Sequence, residues 1–116
     1  MIILKITAAV NSGNETVFNV IDSDGNAVDL TALGATKVTV EVCGPLIPCG
    51  SVKIDSSTDD VDFQNDTVTV KFGKLPLPVS KSLYFPKISY ITASDDEPEV
   101  IAGQNYETEI QLTMVC

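Results

Sequence analysis

A short acidic segment has the residue types and spacing of a calcium-binding loop. The oxygen-bearing side chains in it belong to Asp22, Asp24, Asn26 and Asp29. Carboxylates and amide carbonyls are the ligands that calcium prefers, and the intervening Gly25 permits a sharp turn. An EF-hand loop would also need a bidentate Glu at its twelfth position, and no equivalent follows. The alternative is a polar β-turn in which Asp29 binds local backbone, and the sequence leaves both interpretations open.

A second group of carboxylates follows later in the chain. Its members are Asp55, Asp59, Asp60, Asp62 and Asp66. These side chains could hold a cation, but a run of surface charge usually serves solvation. We therefore interpret this segment as a solvated acidic turn. A glycosidase pair is disfavoured, since that chemistry needs a cleft and usually aromatic sugar platforms, while the chain has only seven aromatic residues.

The residue types that are missing exclude several kinds of chemistry. The chain contains no His, Arg or Trp. Without His there is no Ser-His-Asp triad, no Cys-His pair and no His-ligated zinc, and without Arg there is no guanidinium clamp for phosphate. The formal charge of −9 also disfavours binding to nucleic acid or to an anionic membrane. We predict a protein that is not an enzyme and needs no cofactor, calcium excepted.

The three cysteines favour free thiols over a disulfide framework. Cys43 and Cys49 bracket a Gly-Pro-Leu-Ile-Pro segment, and Cys116 is the last residue of the sequence. The odd number of cysteines argues against a disulfide scaffold, and so does the expected absence of a secretory signal, because Lys5 interrupts the short apolar start of the chain. A bridge between Cys43 and Cys49 stays open as an alternative.

The elements that position these groups are predicted to be β-strands. Val, Ile and Thr make up 35 of the 116 residues, and β-branched side chains suit a pleated sheet better than a helix. Val38, Val40 and Val42 alternate with polar residues, which indicates a half-buried strand. The predicted strands cover residues 2–8, 16–22, 37–43, 51–55, 67–72, 84–92, 99–102 and 107–115.

Turn signals separate these strands and fix the expected architecture. A tight turn is predicted over 22–26 and an ordered crossover over 73–82, where Pro76 and Pro78 exclude a central strand. Pro86 predicts an edge strand or the entrance of a strand. The spacing predicts a single domain over residues 1–116, folded as an immunoglobulin-like antiparallel β-sandwich of roughly seven to nine short strands.

The first strand carries apolar residues on both faces, unlike an ordinary edge strand, which is blunted with charge. These residues are Ile2, Ile3, Leu4 and Ile6. Either the strand is covered on both sides within the fold or it pairs with a neighbouring subunit, and we favour the second. Residues 1–15 are thus a candidate interface. Tyr84, Phe85, Tyr90 and Tyr106 could supply a second binding surface, although core packing is the usual role of such side chains.

The segment from Val20 to Thr31 reads Val-Ile-Asp-Ser-Asp-Gly-Asn-Ala-Val-Asp-Leu-Thr and precedes a Val-alternating strand. This order resembles β-sandwich modules of tailed-phage virions, in particular the amino-terminal immunoglobulin-like domain of baseplate upper proteins. The likeness spans about residues 16–115. Ala32-Leu33 and the 44–50 segment depart from the pattern.

The resemblance implies a virion structural role without catalytic residues. We expect a capsid decoration or accessory subunit that binds other virion proteins, is present in many copies or as a homo-oligomer, and is assembled in the host cytoplasm without a signal peptide. A tail, baseplate or head–tail junction component is the alternative. A further alternative is a calcium-dependent carbohydrate- or surface-binding module that uses the 22–29 carboxylates.

Overall fold

The chain folds almost entirely into β-strands. A computed structural model describes residues 2–22, 24–44, 47–94, 97–103, 106 and 108–116, with the backbone alone at 43–44 and 47–51. These residues contain one 3-10 turn, Phe72–Lys74, and nine strands. The strands are β1 (Ile2–Ala9), β2 (Thr16–Asn19), β3 (Ala35–Gly44), β4 (Ile47–Asp55), β5 (Val61–Gln64), β6 (Thr67–Val70), β7 (Phe85–Thr92), β8 (Glu99–Ala102) and β9 (Thr108–Val115).

Within the described residues the strands form three sheets. A four-stranded antiparallel sheet has the order β4-β3-β7-β8, and a three-stranded antiparallel sheet has the order β2-β6-β5. β1 and β9 form a parallel pair, with Leu4 opposite Ile110 and Ile6 opposite Leu112. The predicted all-β sandwich class is confirmed. The parallel pairing of the first and last strands was not predicted.

The core lies between the sheets and follows the predicted alternation. Val38, Val40 and Val42 of β3 are fully buried, as are Val68 and Val70 of β6. The inward side chains of β9 complete this cluster from the parallel pair; they belong to Ile110, Leu112 and Met114. Period-two burial of this kind arises because successive side chains point to opposite faces of a strand.

Two segments that were predicted as loops are strands. β4 starts at Ile47 rather than at residue 51, and Gly44 pairs with Ile47, because an edge strand tolerates Pro48. Residues 61–64 form β5 instead of a solvated turn, with Val61 buried and Asp62 exposed on the opposite side. Asn65 adopts the positive φ of 54° that a tight turn between β5 and β6 requires.

The crossover between β6 and β7 is ordered, as its prolines predicted. Leu75 and Leu77 are buried, and the Tyr84 hydroxyl donates to the Pro78 carbonyl oxygen at 3.0 Å. Pro86 lies at the entrance of β7, ahead of the residues that pair with β8. None of the described residues belongs to a helix of the length and apolarity needed to cross a membrane.

Candidate functional site

The 22–29 segment forms a hairpin tip that is organised by one carboxylate. Asp22 Oδ1 accepts hydrogen bonds from the backbone N–H groups of Asp24 and Asn26, both at 2.9 Å. Asp22 N–H in turn donates to the Asn26 carbonyl oxygen, and Gly25, with φ at 82°, donates to that of Asp22. An Asp side chain that binds backbone two residues on is a common way to close a turn. The predicted turn is confirmed.

Asp29 belongs to a different turn. Its Oδ1 accepts from the Ala32 N–H at 3.0 Å, and its carbonyl oxygen accepts from the Leu33 N–H. No three His, Cys, Asp or Glu residues in the described part of the chain are close enough to hold a metal ion together. Asp22 and Asp29 therefore accept hydrogen bonds from local backbone, as the polar-turn interpretation predicts. Calcium binding at Asp22, Asp24, Asn26 and Asp29 stays a prediction.

The second acidic group divides into three places, and one of them is the turn between β5 and β6, where the Asp66 carbonyl oxygen accepts from the Val20 N–H. Asp59, Asp60 and Asp62 line an open cleft of about 450 Å³ together with Glu15 and Lys71. Asp55 stands apart from this cleft, where its Oδ1 accepts from both the hydroxyl and the backbone N–H of Ser57. The Ser57 hydroxyl is the largest influence that lowers the pKa of Asp55, the Ser57 N–H is the next, and Lys37 and Lys53 add to it.

The cysteines contribute no site in the described structure. Cys116 is an exposed free thiol. The side chains of Cys43 and Cys49 lie outside the described residues, so their predicted thiol state stays a prediction.

The first strand is only partly covered by the rest of the described fold. Leu4 and Ile6 point inward and pack on the core, opposite Ile110 and Leu112. Ile2 and Ile3 remain 41% and 48% exposed. Within the described fold these two side chains are therefore only partly covered, and pairing of this strand with a neighbouring subunit stays a prediction.

No strand of the described residues pairs with the other edge of β1. The Val10 N–H donates to the Val115 carbonyl oxygen at 2.8 Å, while Leu112 exchanges two hydrogen bonds with Tyr84 on the far side of β9. Backbone groups alternate in direction along a strand, so the even-numbered residues of β1 bond to β9. Ile3, Lys5 and Thr7 consequently direct their N–H and C=O groups toward the open edge, where no strand of the described chain pairs with them.

The apolar residues of β1 predicted an interface at this strand, whereas the position of its open edge follows from the sheet order. Within residues 2–14 the chain has no Asp or Glu, and Lys5 is the only charged residue there. No protein family, curated protein or solved structure matches the chain. The candidate sites therefore rest on the geometry of the chain itself.

Proposed function

We propose that this protein is a non-enzymatic structural subunit of a tailed-phage virion and that it decorates the capsid. In this proposal the open edge of β1 forms backbone hydrogen bonds with an extended segment of a lattice protein. The observation that carries the proposal is that no strand among the described residues pairs with the second edge of β1, an eight-residue strand. The phage assignment is supported by the resemblance of the 20–31 segment to virion β-sandwich modules.

Strand addition suits the chemistry of this edge. An exposed edge offers unpaired N–H and C=O groups to another chain, and most proteins blunt such edges with charges, prolines or bulges. On β1 the only charge is Lys5, and the exposed Ile2 and Ile3 add apolar contact area. Main-chain hydrogen bonds then give affinity, while alternate side chains give specificity.

The partner segment should be extended and should carry an acidic residue near Lys5. Residues 2–14 contain Lys5 and no Asp or Glu, so a partner carboxylate would meet attraction there rather than repulsion. A capsid presents many identical copies of its lattice protein, and a single-strand contact for each copy of this domain fits decoration in many copies.

The test is cosedimentation of the purified protein with capsid shells and with tails of the phage that encodes it. Thr7→Pro removes an outward N–H from β1 and leaves the bonds between β1 and β9 in place, while Thr7→Val keeps every backbone donor. We expect the wild type and Thr7→Val to sediment with shells and Thr7→Pro to stay in the supernatant, with all three folded by circular dichroism.

Each of three results would overturn a part of this proposal. Sedimentation with tails but not with shells would replace capsid decoration by a tail or baseplate position. A folded wild-type protein that ignores both particles would remove the virion role altogether. If Thr7→Pro binds shells as well as Thr7→Val does, the contact does not use the edge of β1.

A further inference from the structure

A groove of about 310 Å³ lies between the hairpin tip at residues 21–28 and strand β8. We infer that this groove binds lysine or arginine side chains on an extended segment of a partner protein. The inference is independent of the virion role and of the β1 edge. The side chains that carry it are Asp22, Val28, Tyr90, Glu99, Ile101 and Tyr106.

The walls of the groove are apolar and aromatic. Val28, Ile101 and Tyr90 are half-buried and pack on the core, so the surface that they present is held in place. Tyr106 is 45% exposed. An aromatic face attracts a cation, and an apolar wall accepts the methylene stem of a lysine or arginine side chain.

Two carboxylates accompany these aromatic rings. Glu99 is exposed and lies directly opposite Tyr90 across the β7–β8 pair, so the two side chains share one face of the sheet. Asp22 is held by two backbone N–H groups on Oδ1, and its Oδ2 accepts no hydrogen bond from the described residues. Neutral amide donors orient this carboxylate without cancelling its charge.

The groove continues past Tyr90 with a more polar lining. A second depression of about 310 Å³ shares Tyr90 and Glu99 and is completed by Leu33 and Glu97, among others. None of the described residues that line either depression is a lysine. The carboxylates of Asp22 and Glu99 thus line a trough formed by the two depressions, which fits an extended segment bearing more than one cationic side chain.

Charge complementarity identifies the occupant. The chain carries −9, and this trough combines carboxylates with aromatic and aliphatic walls, so an amphipathic cation gains from both. The neighbouring face of the sheet differs from the trough because it carries lysines. There Lys87 already pairs with Glu41 at 2.8 Å, and Lys37 and Lys53 line the same depression. A cationic partner would be repelled from that face and directed to the trough.

The experiment measures binding of a fluorescent pentapeptide of alternating glycine and lysine by anisotropy, with a glutamate version as the reference peptide. Glu99→Gln removes one charge from the groove, and Glu15→Gln removes one charge from the separate acidic cleft. We expect the first to weaken binding about two- to fivefold and the second to leave it unchanged. Both variants carry the same net charge, so general attraction to an acidic protein cannot separate them.

The aromatic contribution has its own pair of variants. Tyr106→Ala should weaken binding of the lysine peptide about two- to fivefold, whereas Tyr106→Phe keeps the ring and should bind the peptide as the wild type does. The inference would be overturned if Glu99→Gln and Glu15→Gln weakened binding equally, or if the glutamate peptide bound as well as the lysine peptide. It would also be overturned if the lysine peptide showed no detectable binding. Binding of a neutral oligosaccharide in place of the peptide, lost in Tyr106→Ala, would overturn it in favour of a sugar site.

Discussion

The backbone N–H of Asn11 donates a hydrogen bond to the Gly73 carbonyl oxygen at 2.9 Å and thereby joins the end of β1 to the 3-10 turn after β6. The two backbones approach closely here. A Cβ on Gly73 would lie 2.7 Å from the Ser12 carbonyl oxygen and would press on the Ala9 carbonyl as well. Rigid backbone atoms cannot yield as the tip of a side chain can, so only glycine fits.

We therefore expect Gly73→Ala to lower the free energy of unfolding by about 1–3 kcal/mol, as overpacking in a filled interior does. Urea denaturation followed by circular dichroism measures the change. Gly13→Ala is the matched control, because nothing lies within 4 Å of the added methyl group and its φ is not positive. Stability equal to wild type in Gly73→Ala would mean that β1 is not held at this contact.

Leu112 links the parallel pair to the crossover, since it lies opposite Ile6 and exchanges two backbone bonds with Tyr84. Its side chain is fully buried. Leu112→Ala should cost about 2–5 kcal/mol through lost burial and the cavity left behind. Val17→Ala, at a position 60% exposed, should change stability by less than about 0.5 kcal/mol. Similar urea midpoints for the two variants would contradict this assignment of the core.

The alternation along each strand made much of this fold predictable. The spacing of Val38, Val40 and Val42 alone predicts a half-buried strand, because period two depends only on local geometry. The partner of each strand could not be predicted in this way. Nothing within residues 2–9 specifies that they pair in parallel with residues 108–115, since that choice is made by long-range packing. β5 was not predicted, because its four residues follow an acidic run that indicated a solvated turn.

The candidate sites likewise differ in whether local sequence could predict them. The turn at Asp22 was predictable because a single side chain closes it over neighbouring residues. The groove was not, because Tyr90 and Glu99 meet only through the β7–β8 register and Asp22 reaches them only through tertiary packing. The open edge of β1 is likewise a property of sheet order rather than of side-chain type.

The Asx turn at Asp22 can be separated from calcium binding. Asp22→Ala removes the acceptor of two backbone N–H groups and should lower stability by about 0.5–1.5 kcal/mol, whereas Asp22→Asn keeps an acceptor oxygen and should lose less. We expect added calcium to leave the melting temperature of the wild type unchanged. A calcium-dependent rise in Tm that both Asp22→Asn and Asp29→Asn abolish would establish the calcium loop instead.

Asp55 should contribute an acid-sensitive part of the stability. Its pKa is lowered from the ordinary value of 3.8, first by the Ser57 hydroxyl and then by the Ser57 N–H. A carboxyl whose pKa is lower in the folded state stabilises the fold above its unfolded pKa, and this contribution is lost as pH falls through the folded pKa. The difference in unfolding free energy between wild type and Asp55→Asn should therefore be full near neutral pH and should shrink below about pH 4.

Urea denaturation of both proteins across this range gives that difference, and an NMR titration of the Asp55 carboxyl gives its pKa directly. Asp59→Asn is the comparison, because it removes an exposed carboxylate of the same acidic segment that Ser57 does not contact. The side-chain amide that Asp55→Asn introduces can still accept from the Ser57 hydroxyl, so the pH-dependent part isolates the charge. A difference that stays constant with pH would show that the Ser57 contacts do not favour the ionised form of Asp55 over the neutral one.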